Sequence, residues 1–195
     1  MKRSVTLGIV LVGLAGLASS ASAALIFSNV NISGSIAGTP TVTTGVSDID
    51  FAFGASSGTV GDPVTPLRSG NIVITFDVLS TSGAITTDFA SILGAATGSG
   101  MIIFNEVVED IATGRILALR SLIINASNPP PQNMEIPFSQ GSTNFKVKKT
   151  FFLFAPDTQA TDIANVSLVE QRFVPTPGSL ALLGLGGLVA SRRRR

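Results

Sequence analysis

The chain has 195 residues with no Cys, His, Trp or Tyr, and Phe, at 12 positions, is its only aromatic residue. Without Cys or His there can be no thiolate nucleophile, no Ser-His-Asp triad and no zinc site of the usual kind. Six of the 13 basic residues lie in the two terminal segments, so residues 24–173 carry seven basic against 12 acidic residues, a net charge near −5. This balance argues against a nucleic-acid partner, because such proteins need clustered Lys and Arg.

The first 23 residues predict export. A basic start is followed by an apolar run over 5–18 and by small residues at Ala21 and Ala23. This order is typical of a secretory signal peptide, which signal peptidase would cut between Ala23 and Ala24. An N-terminal anchor helix is the alternative, but the apolar run is shorter than the roughly 20 residues of a membrane span.

Residues 24–173 have the pattern of an all-β body. Ile72, Ile74, Phe76 and Val78 alternate with more polar neighbours, and this period of two is typical of half-buried antiparallel strands. The residues predicted to share one core are Val30, Ile32, Ile49, Phe51, Phe53, Ile72, Ile74, Phe76 and Val78. Further strands are predicted over 101–109, 115–125, 134–138, 144–154 and 163–173.

Three segments between these strands differ in how they are interpreted. Residues 110–115, DIATGR, are typical of a hairpin turn. Residues 128–133, NPPPQN, predict an extended loop, because Pro fixes its own dihedral angle and donates no backbone hydrogen bond. Residues 87–93 are either one or two turns of helix or another strand. Eight or nine short strands indicate an antiparallel β-sandwich, of which a jelly roll is one arrangement.

One strand contains a basic residue on its apolar face. In FKVKKTFFLF, over 145–154, Lys149 shares the parity of Phe151 and Leu153 and would point inward. We predict a bulge at Lys148 and Lys149 that returns both side chains to water. The lysines are then either protection for an exposed strand edge or a basic patch for an acidic polysaccharide.

Two groups of acidic residues are candidates for a metal site. Asp48 and Asp50 lie on one strand face and Asp62 lies in a nearby turn, so an oxygen-ligated calcium site is one interpretation. A solvated strand face is the other, because no EF-hand spacing is present. The same two interpretations apply to the acidic group in the sequence NEVVED, which contains Asn105, Glu106, Glu109 and Asp110.

Aromatic composition weighs against a sugar site. Sugar binding by a β-sandwich usually relies on the amphipathic rings of Trp and Tyr, which this chain lacks. Its Phe residues lie mostly in phase with the apolar strand faces, where core packing explains them.

The last 22 residues form a three-part tail. Val174, Pro175, Thr176 and Pro177 are followed by an apolar, glycine-containing run over 178–191. As a helix this run would reach about 21 Å, short of the roughly 30 Å hydrocarbon core of a bilayer. The Arg residues that follow it would stay in the cytoplasm and stop the segment in the membrane during export, as expected of a temporary stop-transfer segment. These residues are Arg192, Arg193, Arg194 and Arg195.

This tail resembles the PEP-CTERM sorting domain of bacteria, which has a Pro-Glu-Pro box, an apolar helix and a terminal Arg cluster. Thr176 stands where the family usually has Glu. The resemblance implies cleavage by an exosortase-type enzyme, transient membrane insertion, and a place in the bacterial envelope or extracellular matrix, often with exopolysaccharide. An ordinary tail anchor is the alternative.

The sequence therefore predicts a signal peptide over 1–23, a β-sandwich over 24–173 and a sorting tail over 174–195. The expected function is that of an exported, non-enzymatic envelope or matrix protein with no cofactor. One alternative is a module that binds calcium or an acidic glycan. The other is a hydrolase that uses two carboxylates.

Overall fold

A computed structural model of the chain describes residues 24–61, 65–81, 83–157 and 162–176. Within these ranges every helix-or-strand element is a β-strand. No helix in the described part of the chain is long and apolar enough to cross a membrane. The predicted signal helix and the predicted C-terminal helix lie outside the described residues, together with Pro177 and the four terminal Arg residues.

The strands form two antiparallel sheets that pack face to face. They are β1 (Leu25–Ser33), β2 (Thr41–Thr44), β3 (Asp48–Ala52), β4 (Thr59–Gly61), β5 (Ser69–Ser80), β6 (Ile85–Thr97), β7 (Met101–Asp110), β8 (Ile116–Asn125), β9 (Gln132–Ser142), β10 (Asn144–Phe154) and β11 (Ile163–Pro175). The five-stranded sheet has the order β1-β5-β10-β7-β8. The six-stranded sheet has the order β2-β3-β11-β6-β9, and β4 pairs with β11 beyond the end of β3.

The predicted all-β antiparallel sandwich is confirmed. From β5 to β11 the chain changes sheet at every connection except the β7–β8 hairpin. The described residues contain 11 strands instead of the predicted eight or nine. Strands β2 and β4, with four and three residues, are too short to show a period in the sequence. Segment 87–93, for which the sequence allows either helix or strand, belongs to β6.

The core lies between the two sheets and contains eight of the nine residues predicted for it. Seven of them are buried, and Ile32 is partly buried against the same cluster. The seven are Ile49, Phe51, Phe53, Ile72, Ile74, Phe76 and Val78. Their strands alternate between buried and more exposed residues, so the period of two identified the buried face of β3 and β5.

Val30 was assigned to this core, and that prediction is wrong because its side chain is 39% exposed. The cause is a bulge in β1 between Ser28 and Asn31, where Asn29 has a left-handed φ of 51°. The amide of Asn29 donates a 2.6 Å hydrogen bond to the carboxylate of Asp77 and holds the bulge against β5. An extra residue in one strand reverses the parity beyond it, so Phe27 and Ile32 both pack on the core.

The predicted turn between β7 and β8 is confirmed. Asp110 donates a backbone hydrogen bond to the carbonyl of Arg115, and Gly114 donates one back to Asp110. The proline-rich segment is a connection over 128–131, and its last two predicted residues, Gln132 and Asn133, already belong to β9.

The predicted bulge at Lys148 and Lys149 is wrong. Strand β10 keeps an unbroken register with β5 and with β7 from one end to the other. Lys148 therefore points outward, and Lys149 points into the core with none of its surface exposed. The buried ammonium of Lys149 is accommodated because polar side chains surround it, among them Glu106.

Candidate functional site

The outer face of the six-stranded sheet carries an exposed phenyl ring. Asp88 of β6 points into the core, so the next residue, Phe89, points outward, and 40% of its surface is exposed. Across the ladder Phe89 lies opposite Arg172 of β11 on one side and Glu135 of β9 on the other. The next outward row is formed by Ser91. Its partners in that row are Glu170 and Asn133.

We call this surface the Phe89 face, and it consists of Phe89, Ser91, Asn133, Glu135, Glu170 and Arg172. Two adjoining depressions lie on it, with volumes of about 270 and 340 Å³. Both are lined by Phe89 and Arg172, so this pair forms the ridge between them. Depressions near the lower end of the usual range of ligand pockets, about 300–1,000 Å³, suit small units bound side by side.

The Phe89 face is polar around its ring and negative in balance. Arg172 is exposed, and among the described residues it has no ion-pair or hydrogen-bond partner for its guanidinium. The carboxylates of Glu135 and Glu170 border the same depressions. Guanidinium offers five donors and carboxylates offer only acceptors, so both kinds of hydrogen-bonding group flank the ring.

The predicted calcium residues lie at the margin of this face. Asp48 and Asp50 of β3 pair with Arg172 and Glu170 of β11. Burial raises the pKa of Asp50, and the carboxylates of Glu170 and Asp48 raise it further. Asp62 lies outside the described residues. Among those that are described, no three acidic side chains converge as a metal site would require.

The acidic residues of NEVVED also separate. Glu106 points into the core and is 1% exposed, while its neighbour Asn105 points outward. Asp110 stabilises the β7–β8 turn, accepting hydrogen bonds from the backbone and hydroxyl of Thr113 at 2.9 and 2.8 Å. It also accepts one from the hydroxyl of Ser142 at 2.7 Å. These residues do not form one site.

The exposed lysines of β10 do not form a basic patch. Lys146 lies between two acidic residues in the ladder, Asp77 of β5 and Glu109 of β7. Lys148 lies between Thr75 and Val107. With Lys149 buried, the outer face of the five-stranded sheet has as many acidic as basic groups around this strand. This balance of charge gives no support to a site for an acidic polysaccharide on the outer face of β10.

A cluster of four buried polar side chains, which we call the core cluster, crosses the space between the sheets. It consists of Lys149, Glu106, Asp88 and Gln171, none more than 1% exposed. Lys149 and Glu106 are partners in the β10–β7 ladder, and the ammonium lies 2.5 Å from one carboxylate oxygen. The amide of Gln171 donates to the other oxygen of Glu106 at 3.2 Å.

Asp88 completes the core cluster from the opposite sheet. Burial and, after it, the charge of Glu106 raise the pKa of Asp88 to about 9, although the charge of Lys149 lowers it. Asp88 is therefore protonated at neutral pH. Neither of its oxygens accepts a hydrogen bond from a described donor. A protonated Asp88 can donate a hydrogen bond to Glu106, since an ionised carboxylate offers only acceptors.

Sequence reasoning missed both the Phe89 face and the core cluster. Phe89 falls in the segment whose structure was undecided, so the direction of its side chain could not be assigned. The parity of Lys149 with apolar neighbours was one signal for the core cluster, and it was interpreted as a bulge because burying a charge is energetically unfavourable. Glu106 lies in phase with Phe104 and Val108, and Gln171 lies in phase with Val169 and Phe173, so both carried the same kind of signal.

Comparisons with known proteins give only remote likenesses. No protein-family model matches the sequence, and no curated protein matches it. Among solved structures, TmCBM61 in complex with β-1,4-galactotriose is similar over 76% of this chain and 90% of its own, with 14% identity and a TM-score of 0.37. The enzymatically active domain of bacteriophage CBA120 tailspike protein 4 is similar over 75% of this chain and 20% of its own, with 12% identity and a TM-score of 0.35.

A third structure is the family 11 carbohydrate-binding module from Clostridium thermocellum in complex with a β-1,3-1,4-mixed-linked tetrasaccharide. It is similar over 83% of this chain and 92% of its own, with 10% identity and a TM-score of 0.29. At these identities and TM-scores the likenesses carry no argument about what this chain binds.

Proposed function

We propose that this chain is an exported, non-enzymatic β-sandwich that binds a neutral glycan through the Phe89 face. The observation that supports this function is the exposed ring of Phe89 beside Arg172, at the ridge between two adjoining depressions. A phenyl ring offers an apolar, electron-rich face on which the C–H face of a sugar can pack. Arg172, Glu135, Glu170 and Asn133 would then take the hydroxyl groups around the sugar's edge.

The charge of this face favours a neutral ligand. Asp48, Asp50, Glu135 and Glu170 all lie on or beside it, against the single positive charge of Arg172. A surface of this sign repels an anionic polymer and attracts cations. The acidic glycan that the sequence suggested is therefore the less suitable ligand, and a neutral oligosaccharide of two or more units fits the two depressions.

A binding assay with matched variants tests the proposal. We expect isothermal titration with neutral oligosaccharides to detect binding by the wild-type chain, weakened at least tenfold in Phe89→Ala. The control is Phe152→Ala, which removes a ring of almost equal exposure, 41% against 40%, from the outer face of the other sheet. Equal binding by both variants, or binding only to anionic polysaccharides, would contradict the proposal.

The same samples test the hydrolase alternative. Asp88 and Glu106, the two carboxyl groups of the core cluster, are buried where a polymer cannot reach them. The acidic residues of the Phe89 face lie on an open sheet. We expect no new reducing ends when the protein is incubated with the glycans it binds. Their release by the wild-type chain, but not by a Glu135→Gln or Glu170→Gln variant, would instead indicate an enzyme.

Export and sorting are the second part of the proposal. The signal-peptide pattern over 1–23 supports export, and the PEP-CTERM-like tail supports processing by an exosortase-type enzyme and transient membrane insertion. Strand β1 begins at Leu25, so cleavage before Ala24 would release the body without cutting into a strand. Sequencing the N-terminus of the exported protein should give Ala24, and an intact Met1 would refute the export proposal.

A further inference from the structure

Filling the core of a β-sandwich with the charged and polar side chains of the core cluster carries a large desolvation penalty. A buried ion pair seldom stabilises a protein more than apolar side chains of the same volume would. Three oxygens of the cluster, both of Asp88 and the amide oxygen of Gln171, accept no hydrogen bond from a described donor. Burying a polar group without a hydrogen-bond partner destabilises the fold. The arrangement therefore calls for a role other than packing.

The chemistry of the core cluster is that of an amine, a carboxylic acid and a base held together without water. Lys149 and Glu106 belong to the five-stranded sheet, and Asp88 reaches them from the six-stranded sheet. Glu106 lies 2.5 Å from the Lys149 ammonium, and the charges of Glu106 and Lys149 both act on Asp88. Glu106 occupies the position of a proton carrier between a nucleophile and an electrophile.

We infer that Lys149 and Asp88 condense to an intramolecular isopeptide bond, with Glu106 as the catalytic residue. The Lys149 ammonium gives one proton to the Glu106 carboxylate, and the resulting amine attacks Cγ of the protonated Asp88 carboxyl group. Glu106 then transfers a proton to the departing hydroxyl, which leaves as water, and takes the second proton from the nitrogen. The products are one amide, one water molecule and a protonated Glu106, so protons and charge balance without an oxidant or an external reactant.

The surroundings favour both the reaction and its permanence. The protonation of Asp88 at neutral pH makes it an acid, which an amine attacks more readily than a carboxylate. The Lys149 ammonium lies 5.4 Å from the centre of the Phe104 ring, which packs in turn on Phe151 at 5.0 Å. This apolar shell keeps water away from the amide, and the ladder between β10 and β7 holds Lys149 against Glu106. The bond would join β6 to β10 and so tie the two sheets together.

Peptide mapping of the purified wild-type chain tests the inference directly. We expect trypsin to fail to cut after Lys149, and the peptide that contains Lys149 to be recovered joined to the peptide that contains Asp88. The joined species should be lighter by one water than the sum of its parts. Mapping by internal peptides makes the result independent of processing at either end of the chain. Recovery of both peptides separately, at their full masses, overturns the inference.

Variants assign the roles once the wild-type result is known. Asp88→Ala and Lys149→Arg should abolish the joined peptide, and Glu106→Gln should abolish or greatly slow its formation. Asp88→Asn should still react in part, losing ammonia instead of water. Lys148→Arg and Glu109→Gln change exposed or half-exposed neighbours and should leave the bond intact. A joined peptide that persists in Glu106→Gln at the wild-type rate would remove Glu106 from the mechanism. Glycan binding by the Phe89 face is a separate readout, which these outcomes do not decide.

Discussion

The rings of Phe76 and Phe51 lie 5.7 Å apart and belong to different sheets, since Phe76 is on β5 and Phe51 is on β3. Phe76 also contacts Phe27 and Phe173, each at 6.3 Å between ring centres. One side chain therefore connects the β1–β5 side of the first sheet with the β3–β11 side of the second. Aromatic contacts of this kind add to the free energy gained from burial alone.

Phe76→Ala should accordingly reduce the free energy of unfolding by about 3–5 kcal/mol, the cost of an aromatic-sized cavity in a packed core. Urea denaturation measures this change. Phe152→Ala, which removes an exposed ring of the same size, should change stability by no more than about 0.5 kcal/mol. Similar losses in the two variants would mean that the sheets do not pack as described.

Gly34 should not tolerate a side chain. Its φ is +130°, and an added Cβ would lie 2.1 Å from the carbonyl oxygen of Asn71 on β5. We expect Gly34→Ala to destabilise the protein by more than about 1 kcal/mol. Gly54→Ala is the matched control, because the nearest atom to its Cβ would be Ser57 Oγ at 3.9 Å. Thermal melts of both variants decide the matter, and an unchanged melting temperature for Gly34→Ala would be inconsistent with the end of β1 described here.

Two exposed or partly exposed aspartates should respond to pH with opposite signs. Hydrogen bonds from Ser142 and Thr113 lower the pKa of Asp110, so its contribution to stability is present at neutral pH and is lost as pH falls through that lowered value. Asp110→Asn should therefore destabilise the protein at pH 7, and the deficit should shrink in acid.

Asp50 should behave in the opposite way. Its pKa is raised by burial and by Glu170 and Asp48, so its ionisation opposes folding at neutral pH and ceases to do so below its unfolded-state pKa. Asp50→Asn should stabilise the protein at pH 7 and have no effect at pH values where Asp50 is protonated in both states. Unfolding free energies of both variants across pH test the two signs together; the same sign for both would show that one environment is misassigned.

A larger ring at position 89 should bind the proposed glycan more tightly. Phe89→Trp enlarges the apolar stacking surface and adds an N–H donor at its edge. We expect the dissociation constant for a neutral oligosaccharide to fall several-fold, measured by titration under the conditions used for the wild-type chain. Phe152→Trp on the other sheet should leave it unchanged. Weaker binding by Phe89→Trp would mean that the depressions, and not the ring, determine the fit.

The proposed sorting tail should fail in two distinguishable ways. Replacing the four terminal Arg residues by Ser should remove the cytoplasmic stop and release the tail unprocessed. Pro175→Ala with Pro177→Ala should leave insertion intact and impair cleavage. Fractionation and mass analysis in a bacterium that carries an exosortase separate these outcomes. Normal processing of both variants would favour a plain tail anchor.

The sandwich could be predicted because each of its long strands has one apolar, buried face and one more polar, exposed face. In β5 the alternation of Ile72, Ile74, Phe76 and Val78 is uninterrupted, and a slip by one residue would expose all four. The prediction for Val30 was wrong because the bulge at Asn29 depends on Asp77, a partner on another strand 48 residues away. No local pattern in β1 contains that information.

The candidate sites were harder to predict because they depend on which residues from distant strands meet. Lys149 gave a visible conflict with its apolar neighbours, but the acids that resolve it come from β6 and β7. Phe89 lies in a segment without a clear period, so its exposure follows only from the register with β11 and β9. Side-chain pairing across strands, which sets both sites, is a property of the whole fold.

The two ends of the described body meet at one loop. The carbonyl of Ala24 accepts a 2.9 Å hydrogen bond from the hydroxyl of Thr81, and the backbone of Thr176 donates one of 2.9 Å to Ala84, at the other end of the same β5–β6 connection. In a protein tethered by its tail, tension would enter at Thr176 and leave through a glycan held at Arg172, four residues upstream. The load path would run along the last residues of β11, which pair with the start of β6.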